Sequence, residues 1–490
     1  MPTICAFYGH QNIRSVSKLY LSSNKSGLPY ELVYDMRYFK NRLKIVFVAL
    51  ALYIASFPAI AHAQRSSPSL VRDTEIERTL KEWASPIFKA ANLNPKAVNI
   101  ILVQSDVMNA FVAGGPNIFL YTGLISKTDN PGELIGVLAH ETGHITGGHL
   151  IRTRDALERA SYESIIGTIL GVGAAIVSGD SAAVPAISMG GTSIAQRKFL
   201  AHSRVQESSA DQAALTFFEK AKMNPTGLAT FMAKLKSQSY IPENQQSEYV
   251  RTHPLVDNRI EALERRIANA PAKDKPFPEK WKEQHARMTA KLVGFITPRQ
   301  IPWVYDDKDK SIAAEYARAI AAYRNSSVTE AIDRINALIR LEPNNPYFLE
   351  LKGQMLVDFG RVEEALPYYR QATSLLPDAP LIGIALAHAL IESNKADDTA
   401  VFEEAIESLQ RALRDEPRSS RIHRLLATAY GRMGQENRAK IHLAEEAVLQ
   451  RRFSYATQHA QAVLASEEEG SAIWIQANDI ISFIKTMKNG

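Results

Sequence analysis

Among 490 residues there is one cysteine, Cys5. One thiol cannot build a disulfide framework. An excess of charge is missing too. The formal net charge of +5 comes from the N-terminus: residues 1–63 hold seven Lys/Arg and two Asp/Glu, and removing these from the totals of 57 and 52 leaves 50 of each sign. A neutral body of this kind argues against a nucleic-acid partner. Long apolar runs are absent as well. The two best, residues 45–60 (broken by Pro58) and 165–177, fall short of the roughly 20 residues that span a bilayer. With 46% hydrophobic and 22% charged residues, the rest is ordinary globular material, long enough for two or three domains.

The first apolar run follows Arg42-Leu43-Lys44 and ends in Ala61-His62-Ala63 before Gln64. A basic start, a short apolar stretch and small residues at an A-x-A site make a secretory signal, so residues 1–63 are expected to be removed. Residues 1–35 are too long and too uncharged for the start of such a signal, whereas Met36 begins one of normal length; translation is expected to start there. Cys5 then falls outside the product, and Pro2-Thr3-Ile4 before it lacks the small residues of a lipoprotein site. A cysteine-free mature chain suits an oxidising compartment and has no thiol mechanism.

Residues 64–270 have the pattern of an α+β domain. Ile76, Leu80, Trp83, Ile87 and Phe88 recur at helical spacing over 73–91, and 97–103 is a Val/Ile-rich strand. Asn109-Ala110-Phe111-Val112 and Ile118-Phe119-Leu120-Tyr121 flank Gly114-Gly115-Pro116-Asn117, a hairpin pattern. Asp129 or Asn130 then caps a helix with Pro131 in its first turn. That helix carries His140-Glu141-Thr142-Gly143-His144. Residues four apart share a helix face, so two imidazoles can grip one zinc while Glu141 meets a water beside it.

Catalytic zinc usually takes three protein ligands, and two residues compete for the third place. His149 would imitate H-E-x-x-H-x-x-G-x-x-H, with Gly147 in the glycine position, but that register puts the histidine at 150, which is Leu150. On a continuing helix His149 points about half a turn away from His140. Glu207 suits better. It lies in a helix predicted over 197–221, and Asp211 shares its face, placed to hold a ligating imidazole in the right tautomer. Ser208, Ser209, Ala210, Ala213 and Ala214 are small enough for the two helices to approach closely. The plainer alternative is a solvated Glu/Asp pair on an amphipathic helix.

Leu138 to His144, then His149, Ser203-Arg204, Glu207, Asp211 and Thr252-His253-Pro254, resemble in order and spacing the HtpX/BepA-type gluzincin metallopeptidases. The stretches Asn109-Ala110-Phe111 and Thr122-Gly123-Leu124 are similar to that family's upstream strands. The resemblance covers about residues 70–267. It implies a zincin-like fold, one Zn2+ per chain held by His140, His144 and Glu207, and Glu141 as the catalytic base. It further implies a substrate strand at Asn109, Ala110 and Phe111, and it puts His253 near the metal. There an imidazole could stabilise the oxyanion or occupy the open metal position as a switch.

Between the zinc segments, residues 161–195 are rich in Ile, Ala and Gly. They fit a lid-like hairpin over the site, with peripheral membrane contact as the alternative. After a linker and bridge at 271–310, strand patterns vanish from Ser311 on. Pro343 and Pro377 are 34 residues apart and Pro417 follows after 40, while Gly360, Asn394 and Gly434 each fall 17 residues after one of these prolines. Residues 311–490 therefore read as an all-α tetratricopeptide-repeat solenoid, with an insertion near 397–401 and a concave surface for extended segments of other proteins. A peptidase with such repeats behind a secretory signal resembles the BepA-like members of the family. This implies a periplasmic endopeptidase acting on unfolded or misassembled outer-membrane proteins, with contact to the β-barrel assembly machinery. The alternative is a chaperone or adaptor with a latent protease.

Overall fold

The computed structural model describes residues 69–148, 192–239, 249–250, 253, 257–393 and 399–489. All lie in one compact unit, Ser67–Gly490. The leader at 1–63, the start at Met36, Cys5, His149, residues 161–191 of the predicted lid, and Thr252 and Pro254 lie outside the described residues.

The chain enters through β1 (Ser69–Val71) and helix α1 (Thr74–Ala90), where Asp73 caps by accepting from Ile76 N. Next come β2 (Asn99–Gln104), β3 (Ala110–Val112) and β4 (Asn117–Tyr121). Gly114 and Gly115 take positive φ at the hairpin between β3 and β4, as its composition predicts. The sheet order is β1-β2-β4-β3, with β2 and β4 parallel and the other pairs antiparallel. Ala110 pairs with Leu120 and Val112 with Ile118, so β3 is an edge strand. Composition had hidden β1, which is only three residues long.

One face of this sheet is covered by helices. Ile76, Leu80, Trp83, Ile87 and Phe88 of α1 form a single core with Leu102, Ile118 and Leu120. Each such side chain contributes roughly 1.5–3 kcal/mol by leaving water. Helix α2 (Thr122–Lys127) leads to α3 (Pro131–Thr146), which Asn130 caps with Pro131 in its first turn, as expected. Helix α4 (Thr192–Ala221) packs on α3 and α1, α5 (Thr226–Ser239) packs on α3, and α6 (Asp257–Ala268) packs on α4 and α5. Helix α4 begins five residues earlier than its pattern predicts.

The stretch expected as linker and bridge carries α7 (Glu279–Ile296). Its Trp281, Met288 and Leu292 belong to the same core as α1, and Trp83 Nε1 donates to Gln284 Oε1 at 3.0 Å. The helix also packs on α8 (Ile312–Arg324). Helix pairs then stack: α8 with α9 (Val328–Leu341), α10 (Pro346–Asp358) with α11 (Val362–Leu375), and α12 (Pro380–Glu392) with α13 (Thr399–Asp415). Then α14 (Ser420–Arg432) pairs with α15 (Glu436–Leu449), followed by α16 (Phe453–Leu464) and α17 (Ala472–Asn489).

Pro343, Pro377 and Pro417 sit in the turns that precede α10, α12 and α14, where a missing N–H costs nothing. Gly360 and Gly434 turn each pair over at φ 74° and 72°, a conformation that favours glycine. Their counterpart Asn394 lies outside the described residues. Beyond it, α13 is 17 residues long, against 14 for α11 and α15. Among the described residues, no helix is long and apolar enough to cross a membrane.

Candidate metal centre

The centre forms where α3 and α4 cross. Their approach is close because Gly143 lacks a side chain: a Cβ there would lie 2.6 Å from the Ala210 carbonyl oxygen. Gly143→Ala should push the helices apart, lower stability by about 1–3 kcal/mol and weaken metal retention, as thermal melts and metal analysis would record. Of the small residues of α4, Ala210 makes this contact and Ala214 is buried with it, whereas Ser208 and Ser209 are exposed. His140 and His144 project from one face of α3, and Glu207 and Asp211 from one face of α4; all four are buried.

The donor atoms converge. His140 Nε2 is 3.1 Å from His144 Nε2 and 3.3 Å from Glu207 Oε2, and His144 Nε2 is 3.2 Å from Glu207 Oε1. Bonds of about 2.0–2.1 Å to a tetrahedral zinc would hold its ligand atoms about 3.3 Å apart. These three residues fit that spacing without rearrangement. Asp211 Oδ1 lies 2.9 Å from His140 Nδ1, which assigns the proton to Nδ1 and turns the Nε2 lone pair inward.

Electrostatics agree with the geometry. Burial opposes charge on His140, yet Asp211 and Glu207 outweigh it and hold the imidazole up, to about 10. Burial also opposes the Glu207 charge, but His253, His140 and His144 hold this carboxyl far below the usual carboxylate range. Asp211 is lowered against its burial by His140 and Arg259. Buried carboxylates of this kind demand a cation, and a divalent ion would displace the extra proton from His140. His144 is lowered chiefly by burial, which leaves it neutral and suited to ligation.

Glu141 stands beside this group, fully buried. Neither of its carboxylate oxygens has a hydrogen-bond partner among the described residues. An unsatisfied buried carboxylate is costly and persists where a ligand or water completes it. His253 closes the arrangement and joins the four-residue group able to hold a metal, with ligand atoms all within 4.8 Å. Its Nδ1 is 3.1 Å from both Glu207 oxygens, and its Nε2 is 3.2 Å from Ala110 O and 3.6 Å from Glu141 Oε1. Tyr249 stacks on its ring at 4.4 Å, and Tyr249 N donates to Met108 O at 3.2 Å.

These two residues therefore lie along the outer edge of the β3 segment. Tyr121 N takes Asn109 O, and Ala113 N takes Asn117 O, so alternation points the Ala110 and Val112 peptide groups outward. Phe111 is turned to the other sheet face, stacked on Phe119 at 5.0 Å.

Arg259 was not anticipated. This buried guanidinium donates to Asp211 Oδ2 at 2.7 Å and Oδ1 at 3.0 Å and stands 3.2 Å from Glu207 Oε2. The sequence holds a clue to it: Arg259 is four residues before Leu263 and eight before Ile267, an arginine on the apolar face of its helix.

Comparison with known proteins agrees with this site. Residues 71–267 match the model of Peptidase family M48, and residues 316–380 match a tetratricopeptide-repeat model. The chain is 26% identical over 342 residues to the beta-barrel assembly-enhancing protease of Yersinia pestis, covering 68% of each chain. It is 24% identical over 345 residues to the Escherichia coli (strain K12) protein of that name, covering 69% of each. The metalloprotease LoiP of Escherichia coli is 28% identical over 181 residues, 36% of this chain and 66% of its own. Residues 71–267 are a peptidase family M48 metalloprotease domain, and with the tetratricopeptide repeats behind it the chain is a homologue of the beta-barrel assembly-enhancing proteases.

Proposed function

We propose that this chain is a zinc-dependent endopeptidase of the periplasm, with one Zn2+ held by His140, His144 and Glu207. The observation that carries the reading is the convergence of donor atoms from three residues at 3.1–3.3 Å beside a Glu141 carboxylate that has no hydrogen bond among the described residues. Bound zinc would polarise the scissile carbonyl and lower the pKa of an attacking water. Glu141 accepts that water's proton on a carboxylate oxygen and returns it to the leaving amine. Asp211 keeps the His140 proton on Nδ1, and Arg259 holds Asp211 in place.

The substrate strand is best assigned to the outward peptide groups of Ala110 and Val112, which can pair with an extended chain by β-augmentation. Asn109 and Phe111 brace that strand from within. Preference for extended backbone makes unfolded or misassembled proteins the natural substrates. The relatives' names direct the reading to quality control of outer-membrane β-barrels, with the repeats as the surface for clients or for the assembly machinery. The leader predicted at 1–63 supports export.

One observation favours the alternative of a chaperone or adaptor with a latent protease. His253 occupies Ala110 O and stands against Glu141 and Glu207, so a substrate strand must displace it. Digestion of an unfolded protein by the full chain tests both readings. Chelation should abolish cleavage and zinc should restore it, while His253→Ala should raise the rate if the imidazole is a switch and lower it if the imidazole stabilises the oxyanion. Cleavage that persists in a metal-stripped chain would end the metallopeptidase reading, and an unchanged rate in His253→Ala would end both roles for that residue.

A further inference from the structure

A second group of charges lies between the peptidase helices and the repeats, away from the metal centre, with Glu75 and Lys291 buried and Asp73 and Glu350 half-buried. Two carboxylates touch one ammonium there, and a third stands within reach of its charge. Lys291 Nζ of α7 is 2.8 Å from Asp73 Oδ2 and 3.2 Å from Glu75 Oε2, both at the start of α1. Tyr316 of the first repeat helix, α8, donates its hydroxyl to Glu75 Oε2 at 3.0 Å. Glu350 of α10 completes the set: Thr74 Oγ1 donates to its Oε1 at 3.5 Å, and Lys291 Nζ lies 5.9 Å from the ring of Tyr347, also on α10. Arg78 faces Tyr347 from α1, and Tyr369 of α11 feels the Glu350 charge.

Around this group the solenoid's successive inter-repeat turns present one acid each to an arginine. Glu342 takes Arg287 of α7, Asp378 takes Arg78 and Glu416 takes Arg72. The outer pairs are partly exposed and individually weak. The group between them is the element that can switch, because with all three acids ionised it carries a net charge of −2.

We propose that Asp73, Glu75, Lys291 and Glu350 form a clasp between the peptidase domain and the solenoid, which tightens when Glu350 takes up a proton. Burial, with Asp73 and Glu75 adding repulsion against the pull of Lys291, pushes the Glu350 carboxyl up to about 7. Burial likewise raises Glu75. Lys291 stays charged despite its burial, held by Asp73, Tyr316, Glu75 and Glu350. The sign follows directly. A carboxyl whose value rises on docking binds its proton more tightly in the docked state, so docking strengthens as pH falls from above 7 toward the ordinary 4.5 and weakens as pH rises through that window. The pH around the chain would then set how firmly the client-binding arm is held beside the cleft.

Amide hydrogen exchange of the full chain at pH 6 and pH 8, corrected for the intrinsic rate, tests this. Protection of the first turns of α1 and of α10 should fall with rising pH by up to about tenfold, the most that one carboxyl moved from 4.5 to about 7 can give between these two values. Helix α15 should not change. Glu350→Gln should keep the low-pH protection at both values. Equal protection of wild type at the two pH values, or a Glu350→Gln chain that follows wild type, would overturn the clasp. Should that variant not fold, carboxyl NMR of wild type decides: a Glu350 midpoint near 7 supports the proposal and one near 4.5 refutes it.

Discussion

Glu141→Gln should reduce peptide-bond hydrolysis by about a thousandfold while the chain keeps its zinc, because general-base catalysis contributes roughly 10²–10⁴-fold. The carboxamide fills the same volume and takes no place among the three converging donors, so metal content measured by atomic absorption should match wild type. Stability should stay level or rise. Glu141 is fully buried with neither oxygen hydrogen-bonded among the described residues, and removing an uncompensated charge relieves a desolvation cost. A variant that loses activity, keeps zinc and melts no lower than wild type would mark Glu141 as a group retained for chemistry at the expense of stability. Equal turnover in the two proteins would sink its role as the base, and equal, near-zero turnover would favour the adaptor reading.

Arg259→Met should have the largest effect on stability of any single change at the centre. The guanidinium is the one cationic side chain, other than the histidines, in contact with both Glu207 and Asp211 among the described residues. Its removal leaves two buried carboxylates short of a partner, a loss of about 3–5 kcal/mol for a buried ion pair broken on one side. Metal affinity should fall about 10–100-fold as Asp211 loses the anchor that aims it at His140. Arg259→Lys should recover only part of both, since an ammonium cannot reproduce the two-pronged contact to Asp211. Wild-type melting and full zinc content in Arg259→Met would show the arginine to be incidental. A fall in stability with unchanged zinc affinity would confine it to the packing of α6 on α4.

Much of this centre was legible in the linear sequence because helical spacing is a local property. A spacing of four from His140 to His144, and of four from Glu207 to Asp211, puts each pair on one face before any tertiary contact is considered. The choice of Glu207 over His149 rests on the same register argument. The helix cap at Asp129 or Asn130, which the structure places at Asn130, and the hairpin glycines Gly114 and Gly115 are equally local and equally readable. Arg259 escaped because its significance is relational: it serves two carboxylates 48 and 52 residues earlier in the chain, and its spacing in α6 says only that something on the core side must receive it. The packing of helix α7, within the stretch 271–310 that reads as a linker and bridge with helical pieces, is hidden for a similar reason. The prolines on either side of it and its charges are those of a connection, but Trp281, Met288 and Leu292 find their core only when α1 is alongside.

By itself, then, the sequence determined the parts whose physics lies within one turn or one repeat: the two histidines and the carboxylates on their helices, the edge hairpin, the caps, and the period that makes a solenoid. The tertiary structure decided what those parts do to one another. It brought α3 and α4 within contact at Gly143, so that nitrogen and oxygen donors from distant positions meet at the spacing of a metal ion. It placed His253 between the metal group and the outer edge of β3, and it buried Lys291 among acids of both halves of the chain. Each of these is a long-range juxtaposition of charged or polar groups in a low-dielectric interior, where energy depends on distances that no local pattern encodes.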